Sequence, residues 1–330
     1  MNGRERFDNG VLIACAVLAA AVPFCFAGYE VKLATSILVQ AGLAAALGLV
    51  VGPAGLVSIG HAAFYGLAAY AFAMLAPADQ PADLLATLLA SVAVAALAAA
   101  LVGAVSIRSR GLYFILMTLA FGQLGYHLFN DAGIGGSADG TYINFRPELR
   151  LFGRVVPFES TGDFYALACM VVAGVVALTW WLRRSAYGRI LAAARDNEPR
   201  MRAFGYSPYR LRLGLFVVSG ALAGAAGYLG AAQHGFVTPQ ALSWHMSATV
   251  LVMVLIGGKA TVSGPVVGAV VLLLAEEMLQ RFTTHWLIGV GVIVIAVVLL
   301  APDGLVPAAG RAVAWAATQL RHGVRRMRPG

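Results

Sequence analysis

The chain is poor in charge. Only 12% of its 330 residues are Asp, Glu, Lys or Arg, against 60% hydrophobic residues and a mean hydropathy of +0.81. A soluble domain of this length carries about twice that charged fraction, so a soluble globular fold is excluded. Acids are scarcest within the apolar runs, where only Glu276 and Glu277 approach the membrane centre, near the end of a run at 263–280. Proton- and sodium-coupled carriers usually need intramembrane acids, which argues against an ion-coupled secondary carrier. Cysteine is almost absent: Cys15, Cys25 and Cys169 all lie in apolar runs, which argues against a disulfide framework or a zinc site. The six histidines show no metal-ligand spacing of the H-E-x-x-H kind, and no nucleophile–base set stands out. No catalytic residue and no metal site is expected, and a membrane-bound enzyme is the last-ranked class. A phosphate-binding loop is lacking as well. Gly258-Lys259 invites that reading, but Met253 stands where its first Gly belongs and Ala260 where Ser or Thr belongs. Any ATP used must therefore be bound by another subunit, and no cofactor is expected on this chain.

What is present is a series of apolar segments at 10–28, 33–51, 58–76, 84–105, 111–130, 163–182, 213–233, 246–258, 263–280 and 286–301. The runs are near-continuous and lack the period-two alternation of a barrel wall, so the expected fold is an all-α polytopic membrane protein with about ten membrane-crossing or re-entrant helices. The third and eighth segments border glycine-rich breaks and read as re-entrant or split helices. Leu12-Ile13-Ala14-Cys15 has a lipobox look, but too few apolar residues precede it; the first segment reads as an uncleaved signal anchor. The expected organisation is one transmembrane domain over 1–301, with a basic tail over 302–330 that includes a short amphipathic helix at 308–322 suited to anionic lipid.

The net charge of +8 marks orientation, not a nucleic-acid partner, because the arginines flank apolar runs. With ten crossings, the 23 Lys and Arg divide 18 to 5 between the two sides, and the richer side, holding both termini, is expected to be cytoplasmic. Its largest loop, 183–212, holds eight arginines, whose burial at mid-membrane would cost about 24 kcal/mol at roughly 3 kcal/mol each. Within that loop, Tyr187, Ile190, Leu191 and Ala194 form an apolar stripe. Asp196-Asn197 offers a stop or a new N-cap, Pro199 fits the first turn of a second short helix, and Gly205 suits a C-cap. Two short amphipathic helices that dock a cytoplasmic protein are expected; a loop lying on lipid is the alternative. The longest external segment, 131–162, is rich in turn residues and long enough for a small lid or docking surface, with a solvated connector as the alternative.

Two glycine-rich breaks remain, Gly52-Pro53-Ala54-Gly55-Leu56-Val57-Ser58-Ile59-Gly60-His61 and Gly257-Gly258-Lys259-Ala260-Thr261-Val262-Ser263-Gly264-Pro265. Paired broken helices often mark a transporter's substrate path; two ordinary tight turns are the alternative. Pathway candidates are Ser58, Gly60, His61, Gln123, Gly257, Gly258 and Ser263. His61 at a helix start also fits capping or packing, and Gln123 with His127 one turn on also fits a hydrogen bond to a neighbouring helix. Gly220, Gly224 and Gly227 place small residues along one helix face, a packing device.

These residues resemble the branched-chain amino acid ABC transporter permeases, LivM subfamily. The resemblance is carried by Ser185-Ala186-Tyr187-Gly188-Arg189 through Ala193, Arg195, Asn197, Glu198, Pro199 and Arg200 to Gly205-Tyr206. Ser58 to Gly66, Arg110 to Phe114, Thr118 to Gln123, Trp244 to Ser247 and Ser263 to Ala269 add to it, in family order. There are departures. The stretch Gly135 to Gly140 is one residue longer than the usual Gly-Gly-x-x-Gly, Lys259 and Ala260 replace the family's customary small or apolar residue and Gly, and Thr249 stands where relatives often carry Glu. They leave the substrate open, since urea, amides and other amino acids are also carried within the family. The resemblance implies a multi-pass subunit of a bacterial inner membrane that pairs with a second, related permease subunit. It also implies two ABC ATPase subunits below and a periplasmic solute-binding protein above. Loop 183–212 would then be the coupling element, with 189–205 entering the ATPase groove.

Overall fold

A computed structural model describes residues 3–151 and 154–326. The last four residues of the basic tail lie outside the described residues. Thirteen α-helices dominate: α1 Gly3–Cys25, α2 Tyr29–Leu49, α3 His61–Leu75, α4 Leu84–Ser106, α5 Leu112–Asp131, α6 Thr161–Arg184, α7 Ala186–Asp196, α8 Glu198–Ala203, α9 Pro208–His234, α10 Trp244–Gly257, α11 Ser263–Phe282, α12 Trp286–Leu300 and α13 Leu305–Arg326. Each apolar segment read from the sequence falls on one helix. Among the described residues, seven helices are long and apolar enough to cross a membrane, or eight if α12 and the bent start of α13 count as one span. The third and eighth segments form the two short apolar helices, α3 and α10. At 1.5 Å per residue each reaches only about 22 Å, against roughly 30 Å of hydrocarbon. An irregular segment at 55–60 precedes α3, and the 3₁₀ turn Pro239–Leu242 precedes α10.

The most interior spans are α2 and α9, with 72% and 78% of their membrane windows buried, against 6% for α1 and 22% for α4. Small residues make this possible, because helices in lipid associate by close packing and not by escape from water. A Cβ on Gly220 or Gly224 would run into Ala99 or Ala95 of α4, and one on Gly227 would overlap the Tyr65 backbone of α3.

Contacts sort the connecting segments into two ends. At one end β1, Thr141–Tyr142, pairs antiparallel with β4, Phe236–Val237, and the hairpin β2 (Glu148–Leu151) with β3 (Arg154–Pro157) meets the 77–83 connector through Glu148 N to Ala82 O at 2.9 Å. Tyr29 there donates to Glu277 at 3.0 Å. At the other end lie the start of α1, both glycine-rich breaks, 106–111, α7, α8 and the α12–α13 bend. These are the groupings used in the arginine count. The loop 183–212 is shorter than the charge pattern suggests: Arg183 and Arg184 still belong to α6, and 208–212 already belong to α9. Long Arg side chains let a helix continue past the apolar layer. The same holds for α1, which starts at Gly3 and carries Asp8 and Asn9. The tail helix runs from Leu305 to Arg326, longer than 308–322.

Candidate functional site

The arginine-rich segment folds into a rigid elbow. Ser185 closes α6 and caps α7, accepting from Gly188 N at 3.3 Å. Gly188 lies so close to the Leu182 and Arg183 carbonyls that any Cβ would clash with both. The apolar stripe turns inward: Leu191 and Ala194 are buried, Tyr187 and Ile190 half-buried. Burial pushes the Tyr187 phenol up, and its hydroxyl donates to Leu211 O. Asn197 ends α7 and caps α8, accepting from Arg200 N at 3.0 Å, with Pro199 in the first turn. Gly205, at φ 84°, terminates α8: Gly205 N bonds to Arg202 O and Tyr206 N to Met201 O at 3.1 Å, the paired bonds of a Schellman motif. Glu198 accepts from Arg110 at 3.0 Å and Arg212 at 3.1 Å, and also from Arg202. Partial burial works against its carboxylate, but Arg212, Arg110 and Arg202 outweigh that and hold its pKa below the usual carboxylate value. Arg189, Ala193, Pro199 and Arg200 face outward, as do Phe204 and Tyr206 at the tip. Arg189 donates to Arg184 O at 2.6 Å, and Arg195 to Gly52 O at 2.8 Å.

The first glycine-rich break is a polar knot within the core. The π-helical turn Val50–Ala54 ends α2, and the chain then leads to Ser58, Gly60 and His61, all buried. His61 Nε2 lies 2.8 Å from Ser219 Oγ, which itself donates to Ala46 O at 2.6 Å. Ser219 must therefore accept from His61, which fixes the Nε2–H tautomer and leaves Nδ1 to accept from Ser58 Oγ at 3.0 Å. Thr118 of α5 accepts from Ile59 N, and Ser247 of α10 accepts from Ala62 N at 3.0 Å. The second break is close backbone packing: Gly257 lies against the Gly264 backbone, and Gly258 against Asp303 and Pro307. Ser263 at the start of α11 is held by buried Asp8 of α1, which accepts from Val262 N at 3.2 Å and Ser263 N at 3.0 Å.

Gln123 differs from the other pathway candidates. It is half-buried on α5, and its Oε1 finds no partner. Tyr126, one turn on along α5, accepts from Gln240 of the Pro239–Leu242 turn at 3.5 Å, and α10 carries the polar His245 and Thr249. His127 is exposed and paired with Asp131 at 3.1 Å. A cavity of about 350 Å³ opens at the end opposite the elbow, between α2, α6 and α9, lined among others by Lys32, Ser36, Arg146 and Gln233. None of the pathway candidates lines it, and Arg146 there donates to Glu159 O at 2.9 Å. Among the described residues no cluster of His, Cys, Asp and Glu could hold a metal ion.

Residues 29–301 match the family described as branched-chain amino acid transport system / permease component. The chain belongs to this family. The permease is 30% identical to the high-affinity branched-chain amino acid transport system permease protein LivM of Escherichia coli over 90% of its own length and 74% of the relative's. It is 31% identical to the protein of the same name in Salmonella typhimurium, with the same coverage. A partial match, 35% identical over 35% of each chain, joins it to the autoinducer 2 import system permease protein LsrC of Klebsiella pneumoniae. No solved structure matches. The permease is thus a multi-pass inner-membrane subunit of an ABC importer, a transport component and not an enzyme, and it works with ATPase and binding-protein partners.

The sequence passed over several residues that hold these sites together. Asp8 and Ser219 carry no motif, Ser247 and Arg212 stand out only as parts of longer stretches, and each acts on a partner far away in the chain or on another helix. Their one signal is a polar side chain within or bordering an apolar run, where it is expensive unless paired.

Proposed function

We propose that the permease translocates branched-chain or similar amino acids, in a pair with a second, related permease subunit above two ATPase subunits, with a solute-binding protein delivering from the periplasm. The arginine-rich end is cytoplasmic on this reading, as the positive-inside bias requires. The observation that carries the coupling role is the elbow's two-sidedness. Its apolar stripe is locked onto the membrane domain, while Arg189, Ala193, Pro199, Arg200, Phe204 and Tyr206 are exposed on the outward side. A lever needs a stiff body and a free contact face, and α7–α8 has both. The substrate path runs along the α5–α10 surface, where Gln123, one turn from Tyr126, holds a buried carbonyl oxygen that finds no partner among the described residues; a polar group at membrane depth belongs against protein or water, not lipid. The second permease subunit packs against that surface. Ser58, Gly60, His61, Gly257, Gly258 and Ser263 act one layer deeper, as the joints of the two broken spans.

The test is ATP-driven uptake into vesicles holding the assembled complex and its binding protein. Replacement of 189–205 by a flexible linker of equal length is expected to abolish uptake while the permease still inserts. Uptake that survives the replacement removes the coupling role; uptake that needs a proton gradient and no ATP removes the importer reading.

A further inference from the structure

Two arginines join the elbow to both broken spans. Arg183, in the last turn of α6, donates through Nη2 to Lys259 O at 2.6 Å and through Nη1 to Thr261 O. The same Nη2 fills the space beside Gly52, where a Cβ would overlap it. Arg195, in the last turn of α7, donates from Nη1 to Gly52 O at 2.8 Å, and its side-chain methylenes pack on Gly55. The carbonyls involved lie at or just beyond helix C-terminal ends, in the turn that closes α2 and in the segment after α10. Turn carbonyls of this kind need partners from outside a helix ladder, and a cation at the end of α2 is also favoured by the helix dipole. Asp8 does the converse at the start of α11, where backbone N–H groups point outward. Each broken end thus has a partner of the right sign, and both cationic partners come from the elbow and its supporting helix.

Resting on the ATP-driven reading above, we infer that Arg183 and Arg195 form a clasp through which movement of α7 displaces the two breaks together. They are positioning residues: neither is placed on the path, and each acts through the backbone it holds. Arginine suits the task because its planar fork holds two carbonyls in fixed relation, which a lysine ammonium does not. A clasp on both breaks gives one lever simultaneous control of two joints, as needed if the path is to open on one side only when it closes on the other.

Two measurements decide it. In proteoliposomes with the full complex, ATP hydrolysis and solute uptake are followed together for Arg183→Lys, Arg195→Lys and the double variant. Solute moved per ATP is expected to fall about tenfold in each single variant, the scale of one lost charge-assisted hydrogen bond. The double variant should fall little further, because both are parts of one clasp whose function either loss already breaks. An unchanged ratio in both singles overturns the clasp, as does a parallel loss of hydrolysis and uptake. The second measurement needs no transport. Spin labels at the exposed Ala193 and Ala260 should give one narrow distance in the parent permease and a broadened one in Arg183→Lys; equal widths overturn the clasp. If the parent complex shows no ATP-dependent uptake, the importer reading fails, and the label distances still judge the clasp.

Discussion

Glu198 gathers Arg110 from the α4–α5 turn, Arg202 from its own helix and Arg212 from α9. One carboxylate thereby ties three elements to the elbow's second helix. Both Glu198 and Arg212 are only 14% exposed, so this pair is less screened than a surface pair, whereas Arg110 is 70% exposed and adds little. The folded pKa of Glu198 lies below its unfolded value, so its stabilisation is complete above the ordinary carboxylate pKa and is lost as pH falls through the lower folded value. Glu198→Gln is expected to lower stability at neutral pH by about 1–2 kcal/mol, since Arg212 keeps its place without its anion. It should also flatten the loss of stability on acidification. Thermal unfolding in detergent between neutral pH and pH about 3.5, on the acid side of the ordinary carboxylate value, checks this; identical acid limbs in parent and variant would show that the cluster contributes nothing.

At the scale of elements, α5 and α10 share a surface unlike the rest of the membrane face. The outward sides of α4 and α12 present leucines, valines and isoleucines, whereas α5 and α10 add Gln123, Tyr126, His245 and Thr249. If this surface lines the path, a cysteine at 123, in a background where Cys15, Cys25 and Cys169 are replaced, reacts with a small membrane-impermeant thiol reagent in the assembled complex. Substrate plus binding protein should slow that reaction several-fold. A cysteine replacing Leu97, at 66% exposure on α4, should stay unreactive because lipid covers it. Equal reactivity at both positions rejects the assignment. The elements themselves were largely legible beforehand. The short α3 and α10 were visible from the glycines beside them, and the α7–α8 elbow from Asn197, Pro199 and Gly205, because caps and breakers act within a few residues. What the breaks meet was not legible. Arg183 looked like one of eight loop charges, yet it is the one whose guanidinium reaches Lys259 and Thr261. Contacts of that range are set by how helices pack, which no local pattern encodes.

For the whole molecule, the arginine count and the contacts agree on which segments share an end, but contacts carry no sign. Orientation follows from the positive-inside bias alone. Alkaline phosphatase, active only outside the cytoplasm, is expected to be active when fused after residue 157, beyond β3, and inactive when fused after residue 205 within the elbow. A fluorescent protein that matures only in the cytoplasm should glow at the second position and stay dark at the first. The reverse pattern would turn the molecule over and, with it, the coupling role of α7–α8.

Asp8 carries one further consequence, for the order in which the chain is made. It closes the start of α11 by binding Val262 and Ser263, partners that emerge from the ribosome more than 250 residues later. α1 is therefore made with its acid ready, and its contact with α11 waits on the synthesis of every span between them. A permease cut back past residue 8 would still hold every span from 29 to 301, and would lack the acid that caps the start of α11.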